Sequence, residues 1–85
     1  MHEIIFDKKA IDFLKKLPKD KRRRIYSKII STKEKPSHFF ERLKSRKEYK
    51  LRIGDYRAIA DITNKRIEIL MIGHRKRVYK KNRNI

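Results

Sequence analysis

The sequence contains no cysteine, and this absence excludes three kinds of site at once. Disulfide bonds, thiolate zinc sites and cysteine nucleophiles all need the missing side chain. Long apolar runs are lacking as well, because no stretch approaches the ~18 residues that a membrane span requires. Residues 1–7 lack the basic-then-apolar order of a secretion signal. We therefore expect a cytoplasmic domain with no membrane partner.

Hydrophobic residues are few for a folded chain, at 38% against 44% charged residues. A chain of 85 residues buries only about 60–65% of its unfolded surface, so the core must be thin. The length allows one domain. We expect residues 1–85 to form it, with residues 79–85 as a flexible tail.

Acidic residues are also few, since 10 Asp and Glu stand against 27 Lys and Arg and the net charge is +17. The excess is concentrated in three blocks, residues 15–35, 42–57 and 74–85, which indicates basic faces. Such a field attracts nucleic acid in a strongly salt-dependent way, and it also favours acidic proteins. An anionic membrane is a poorer partner, because no helix pairs its basic face with exposed Trp or Phe. The composition therefore predicts a polyanionic partner.

Apolar periodicity predicts one strand and two helices in the first part of the chain. Residues 2–6 form a short run rich in isoleucine, and Asp7 is placed to cap a first helix with its carboxylate. Pro18 ends that helix, and a second helix is expected over residues 19–33, so the two form an antiparallel hairpin. Their predicted buried faces are Ala10, Phe13, Leu14 and Leu17 in the first helix and Ile25, Tyr26, Ile29 and Ile30 in the second.

The pattern then changes to a period of two, which is typical of strands. Three strands are predicted over residues 48–53, 56–62 and 66–72, with turns at residues 54–55 and 63–65. Residues 34–47 show no period and are interpreted as a loop that Phe39, Phe40 and Leu43 anchor to the core. The predicted fold is α+β with the order β-α-α-β-β-β: a short N-terminal strand, a helical hairpin and a three-stranded antiparallel meander, with the helices on one sheet face.

A two-residue turn at residues 54–55 places Arg52 directly opposite Arg57, with Lys50 further along the same strand. Like charges in this position destabilise a sheet by up to ~1 kcal/mol. No acidic residue is placed to neutralise them, so we interpret this face as an anion site. The opposite face, towards the helices, is predicted to collect Tyr49, Leu51, Ile53, Tyr56, Ala58, Ala60, Ile62, Ile67, Ile69 and Met71.

The segment after the third strand combines a glycine, an imidazole, cations and a phenol. Gly73 stands at the predicted strand end, where glycine permits an abrupt change of direction. The last strand of a meander lies next to the middle one, so this segment should emerge near Arg57. We expect Arg75 and Tyr79 to lie within reach of the opposed cations.

Two motifs now stand in a characteristic order. Residues 49–57 read Tyr-Lys-Leu-Arg-Ile-Gly-Asp-Tyr-Arg, and Ile72-Gly73-His74-Arg75 with Val78-Tyr79 follows them. With this spacing on a small basic chain, the sequence resembles the toxins of the RelE/ParE superfamily from prokaryotic type II toxin–antitoxin systems, and the RelE branch in particular. The resemblance covers nearly the whole chain, including Lys-Leu-Pro at residues 16–18 and the basic second helix.

The resemblance implies an mRNA interferase, an endoribonuclease that cleaves message in the ribosomal A site and so halts translation. A ribose 2′-hydroxyl attacks the adjacent phosphate, without metal or cofactor. Fixed cations at the developing charge are worth several kcal/mol, and the need for a 2′-hydroxyl restricts the reaction to RNA. No metal site is expected, because His2, His38 and His74 are far apart in sequence and no acidic cluster has ligand spacing.

Carried onto this chain, the resemblance makes Lys50 a base or an electrostatic catalyst. Arg52 stands where relatives often have a second lysine, and a guanidinium stabilises charge but is a poor proton acceptor. Arg57 and Arg75 match the arginines that hold the scissile phosphate. The acid and base stay unassigned.

Two further residues complete the catalytic set that the resemblance implies. Tyr79 matches a tyrosine proposed to stack on or orient the nucleotide. His74 is a candidate general acid or base, because imidazole exchanges protons near neutral pH.

The remaining basic residues suit RNA and ribosome binding, and a restrained toxin requires a cognate antitoxin. The resemblance implies a RelB-like antitoxin that is acidic where it wraps the toxin. We expect an oligomeric complex and a monomeric free toxin. The residues assigned to RNA and ribosome binding are Lys21, Arg22, Arg23, Arg24, Lys28 and Arg77.

Two alternatives stay open at the level of sequence. A ParE-type inhibitor of DNA gyrase has the same fold, although those relatives generally lack this set of basic catalytic residues. A non-catalytic module that binds RNA, the ribosome or an antitoxin would also be strongly basic.

Overall fold

The computed structural model describes residues 1–78 as a five-stranded sheet with two helices on one face. The elements are β1 (Glu3–Phe6), α1 (Lys8–Lys15), α2 (Lys19–Ser31), a short 3₁₀ helix (Pro36–His38), β2 (Phe40–Arg42), β3 (Tyr49–Ile53), β4 (Tyr56–Ile62) and β5 (Arg66–His74). The α+β class and the helical hairpin on one sheet face are confirmed. Tyr79 and the predicted tail at residues 79–85 lie outside the described residues.

Helix α1 begins and ends near the predicted positions, but the backbone groups at its ends form hydrogen bonds that the sequence did not predict. Asp7 is the N-cap, yet its carboxylate makes no capping hydrogen bond, and its backbone carbonyl accepts from the Ala10 and Ile11 amides instead. At the other end, the Arg22 guanidinium donates to the carbonyls of Leu14 and Leu17, both at 3.1 Å. Arg22 therefore fastens the start of α2 to the end of α1.

The sheet has the strand order β1-β5-β4-β3-β2, so the predicted meander of β3, β4 and β5 forms its centre. β1 joins one edge parallel to β5, and β2 joins the other edge antiparallel to β3. The prediction of a loop over residues 34–47 is wrong for this edge strand. Three residues are too few to show a period of two, so β2 left no pattern in the sequence.

The register between β3 and β4 is confirmed, including Arg52 opposite Arg57. Between β4 and β5 the register shifts, since Ile59 pairs with Met71 and Ala60 with Ile69. The extra residue, Leu70, makes this a β-bulge. After it, each side chain of β5 lies on the sheet face opposite to the predicted one. The prediction that Met71 faces the helices is therefore wrong, and Ile72 occupies that face instead.

The core lies between the helices and the sheet. Its fully buried residues include Ala10, Ile29, Ile67 and Ile69. Tyr26, predicted to be buried, is 50% exposed and stacks on the half-buried Phe6 ring with 5.6 Å between ring centroids. No helix in the described part of the chain has the length and apolar character needed to cross a membrane.

The anchoring of the segment before β2 is confirmed only in part. Phe40 is buried in the core, as predicted. Phe39 is exposed, and the ammonium of Lys28 lies 4.8 Å from its ring centroid. Leu43 is only partly buried. Phe39 caps the end of the 3₁₀ helix and Phe40 begins β2, so the neighbouring phenylalanines belong to different elements and have different environments.

Candidate functional site

Three cations lie on the sheet face that the helices leave uncovered. Lys50 and Arg52 alternate with the buried Leu51 on β3, and Arg57 projects from β4 on the same side. Arg52 and Arg57 form no ion pair within residues 1–78. Paired residues on neighbouring strands bring their side chains close together. This face therefore presents two opposed guanidinium groups without an acidic partner in the described chain.

Lys50 differs from the two arginines, because a carboxylate on β2 lies beside it. Glu41 pairs with Lys50 in the sheet, and its Oε2 lies 4.0 Å from the Lys50 Nζ. The expectation of no neutralising acid concerned Arg52 and Arg57, neither of which forms an ion pair within residues 1–78, and Glu41 neutralises only Lys50. Glu41 could not be located from sequence, because its position depends on the three-residue strand that showed no pattern.

Arg57 is buried, with 9% of its surface exposed. Its Nη1 donates to the Gly54 carbonyl at 2.8 Å and to the Tyr56 carbonyl at 2.7 Å. Its Nε and Nη2 have no hydrogen-bond partner among the described residues. Arg57 thus holds the β3–β4 turn with one nitrogen and keeps two for another acceptor.

Arg75 is fastened to the same turn from the end of β5. Its backbone amide donates to the Asp55 carbonyl at 2.8 Å, and its Nε lies 3.9 Å from the Asp55 carboxylate. The side chain is 53% exposed. Both arginines predicted to hold phosphate therefore lie beside the turn at Gly54 and Asp55.

Gly73 has a different role from the predicted one. It lies within β5 and pairs with Arg57, so it does not change the direction of the chain. A Cβ at this position would stand 3.1 Å from the Cβ of the buried Val78. The missing side chain is what lets the segment after β5 fold back onto the strand beside Arg57.

Gly73→Ala is expected to lower the free energy of unfolding by about 1 kcal/mol, because Val78 must move by a few tenths of an ångström. Chemical denaturation measures this change. Gly73→Ser should cost at least as much, since it adds a further atom. Wild-type stability in both variants would contradict the close approach of Val78.

His74 lies on the other side of the sheet from the three cations. It pairs with Tyr56, whose ring it meets edge-on with 6.0 Å between centroids. Its Nδ1 accepts from the Lys76 amide at 3.2 Å. The structure therefore does not bring His74 together with Lys50, Arg52 and Arg57, and the reason is that β5 continues one residue further than Gly73.

The basic residues predicted for RNA and ribosome binding on α2 separate into two groups. Lys21 and Arg24 line a hollow of about 330 Å³ with His74. Arg24 and Lys28 line a neighbouring hollow with Arg52. Lys21, Arg24 and Lys28 therefore form a basic stripe on α2. This stripe reaches Arg52 beside the β3–β4 turn.

The other predicted RNA-binding residues lie elsewhere. Arg22 and Arg23 project from the opposite side of α2, where Arg22 binds the end of α1. Arg77 is exposed in the turn after β5, and its amide donates to the His74 carbonyl.

Comparison with known proteins gives one family. Residues 4–79 match the family model described as the ParE toxin of the type II toxin–antitoxin system parDE. No curated protein sequence shows a significant match.

Several solved structures share the fold. A chain of the RelBE2 toxin–antitoxin complex of Mycobacterium tuberculosis has 20% identity and a TM-score of 0.79, covering 86% of this chain and 96% of that one. A chain of the archaeal RelE–RelB complex of Pyrococcus horikoshii has 27% identity and a TM-score of 0.74, covering 91% and 98%. The isolated RelE toxin of E. coli has 20% identity and a TM-score of 0.70, covering 99% and 97%.

Proposed function

This chain belongs to the ParE toxin family and is a toxin of a toxin–antitoxin system, and from this premise we propose that it is a metal-independent endoribonuclease that cleaves mRNA on the ribosome. The observation that carries the proposal is the pair of opposed arginines, Arg52 and Arg57, with Arg75 fastened beside them. A sheet gains nothing from cations placed in this way, whereas a phosphate bound between them removes the repulsion.

The main requirement of the reaction is the stabilisation of negative charge at phosphorus. The 2′-oxygen forms a bond to phosphorus as the bond to the 5′-oxygen breaks, which gives a 2′,3′-cyclic phosphate and a 5′-hydroxyl. The phosphorane between them carries additional negative charge. Arg52, the free nitrogens of Arg57, and Arg75 supply fixed positive charge for it.

The same reaction moves two protons, one from the 2′-hydroxyl and one to the departing 5′-oxygen. Lys50 and Glu41 stand 4.0 Å apart at the edge of this face and provide one proton donor and one proton acceptor. His74 lies on the other face and is not required by this arrangement.

The basic stripe on α2 gives the toxin a means of holding a longer polyanion. Arg24 and Lys28 line a hollow with Arg52, and Lys21 lines the neighbouring hollow beside the β3–β4 turn. RNA entering from the α2 side would therefore meet positive charge along its path. Contacts of this kind are independent of sequence and weaken with salt. An mRNA target implies action in the cytoplasm.

Induced expression is expected to produce new mRNA 5′-ends inside codons of translated messages. Mapping of 5′-ends across the transcriptome measures this, with a message whose start codon has been removed as the matched control. That control should stay intact because it does not enter the ribosomal A site. Equal cleavage of both messages would contradict ribosome dependence.

Inhibition of DNA gyrase is the second candidate, because the matching family model carries the ParE name. Under this alternative, messages stay intact after induction while purified gyrase loses supercoiling activity in the presence of the toxin. The two assays therefore give opposite results for the two functions.

A further inference from the structure

The hollow that His74 borders lies between α2 and the turn that joins β3 to β4. Its volume is about 330 Å³, and small-molecule sites in proteins usually measure about 300–1,000 Å³. It is on the helix side of the sheet, because Tyr56 packs against the core and pairs with His74 there. Lys50, Arg52 and Arg57 do not line it. The hollow is therefore separate from the face proposed for catalysis.

Part of the wall of this hollow is apolar and aromatic. Ile25 on α2 and Ile53 on β3 line it, and both are almost completely buried. The Tyr56 ring also lines it and is held edge-on by Phe13, with 6.0 Å between ring centroids. A flat ring of a ligand can lie against these side chains, because packing already fixes their positions.

The hollow also offers one hydrogen-bond donor and one carboxylate. His74 Nδ1 accepts from the Lys76 amide at 3.2 Å, so the neutral imidazole carries its proton on Nε2. Nε2 has no hydrogen-bond partner among residues 1–78 and is a free donor. Asp55 supplies two acceptor oxygens, and its ion pair with Arg75 is loose, at 3.9 Å. A ligand here can be bound through donors and acceptors together.

Two cations of α2 complete the lining. The side chains of Lys21 and Arg24 border the hollow, and neither forms an ion pair or hydrogen bond within residues 1–78. The Arg24 guanidinium lies beside the β3–β4 turn, since a Cβ at Gly54 would stand 3.8 Å from its Nη2. Like charges three positions apart on a helix repel each other, and a bound phosphate relieves this repulsion.

The combination fits a guanine nucleotide better than other anions. Guanine is the standard base whose Watson–Crick edge places two donors, N1–H and the N2 amino group, side by side. These match the two oxygens of the Asp55 carboxylate, and O6 next to them accepts from the His74 imidazole. Adenine, cytosine and uracil present one donor beside an acceptor, and that acceptor would face the carboxylate. An inorganic anion would be repelled by Asp55.

We propose that this hollow binds a guanine nucleotide, with the base at Asp55 and His74 and the phosphate at Lys21 and Arg24. A free nucleotide and a guanosine within RNA present the same base edge and the same phosphate, so the chemistry is shared by both sources. Binding requires neither the cleavage reaction nor the opposed arginines. The proposal therefore goes beyond the proposed function and does not depend on it.

Calorimetric titration of the full-length toxin with 5′-GMP, 5′-AMP and inorganic phosphate tests recognition of the base. GMP is expected to bind about tenfold more tightly than AMP, because a bidentate contact to a base edge discriminates by about this factor. Inorganic phosphate should bind at least about tenfold more weakly than GMP, since it leaves the apolar wall uncovered. Equal affinity for GMP and AMP, or for GMP and phosphate, would overturn the proposal.

Asp55→Asn replaces one of the two acceptor oxygens with a donor. It should lower the affinity for GMP about tenfold without lowering the affinity for AMP. The matched control is Asp61→Asn, the same change at an exposed residue of β4 outside the hollow. The control should keep the affinity for GMP within about threefold of the wild type. Equal losses in the two variants would overturn the proposal, because binding would then follow net charge.

His74→Phe keeps an aromatic ring beside Tyr56 and removes only the donor. It should weaken GMP binding by about threefold to tenfold, as for loss of one hydrogen bond. Thermal denaturation establishes that each variant is folded at the temperature of the titration. Wild-type affinity for GMP in both His74→Phe and Asp55→Asn would overturn the assignment of the base contacts.

Two pentanucleotides distinguish the sources of the ligand. UUGUU and UUUUU carry equal numbers of phosphates and differ in one base. Tighter binding of UUGUU than of both UUUUU and GMP assigns the hollow to a guanosine of RNA, whereas binding no tighter than that of GMP assigns it to a free nucleotide. These titrations contain no ribosome and measure no cleavage. Their failure would leave the proposed endoribonuclease activity standing, and an inactive endoribonuclease could still bind GMP.

Discussion

Arg75→Ala is expected to lower the rate of mRNA cleavage by about a hundredfold while leaving stability within about 0.5 kcal/mol of the wild type. The reason is that this side chain is 53% exposed and, among residues 1–78, makes one loose contact, to Asp55 at 3.9 Å. The backbone bond from Arg75 to Asp55 does not depend on the side chain and persists in the variant. A ribosome-dependent cleavage assay and thermal denaturation on the same preparations measure the two quantities.

Lys76→Ala is the matched control, because it removes the same charge from the next residue, which is also exposed. Its cleavage rate should fall by no more than about threefold. If the two variants lost activity equally, Arg75 would contribute only to net charge. Full activity in Arg75→Ala would remove this residue from the site.

The centre of the fold was predictable, whereas the edge strand β2 and the bulge in β5 were not. Residues 54–55 are typical of a two-residue turn, and this turn length determines which residues of β3 and β4 pair. β2 is too short to show a period. The bulge at Leu70 is invisible because apolar residues stand on both sides of it, so neither register places a charge in the core. Packing against neighbouring elements decides both features.

The same distinction applies to the candidate site. The opposition of Arg52 and Arg57 was predicted because it depends only on the central turn. Glu41 was missed because β2 carries it. His74 was assigned to the catalytic set as a candidate acid or base, with the strand predicted to end before it. In the structure β5 continues, and His74 pairs with Tyr56 on the face away from the three cations. A residue at a strand end can change faces with a one-residue change in strand length.

The net charge of +17 therefore serves more than one purpose. Arg22 is structural, since it binds the end of α1. Arg24 and Lys28 line a hollow with Arg52, whereas Lys15 and Lys19 border an apolar groove. Charge alone could not distinguish these uses. The atoms beside each cation distinguish the structural Arg22 from the cations that lie near Arg52.

Arg57→Ala is expected to affect stability and cleavage together. It removes two hydrogen bonds, to the carbonyls of Gly54 and Tyr56, from a residue that is only 9% exposed. The free energy of unfolding should fall by about 2 kcal/mol, as for loss of hydrogen bonds from a charged donor. Cleavage should fall by about a hundredfold or more, because the proposed mechanism uses the same guanidinium to bind the phosphate.

Arg52→Ala separates the two roles, because Arg52 is the exposed partner in the same cross-strand pair. Its removal relieves the repulsion between like charges, so stability should stay unchanged or rise by up to ~1 kcal/mol. Cleavage should still fall at least tenfold, since a fixed cation is lost from the site.

Denaturation in urea and the cleavage assay are measured on both variants at a temperature where each is folded. If Arg52→Ala were as destabilising as Arg57→Ala, the pair would be held together by a bound anion or by contacts that strengthen the sheet. If both variants cleaved message normally, the opposed arginines would not be the catalytic centre.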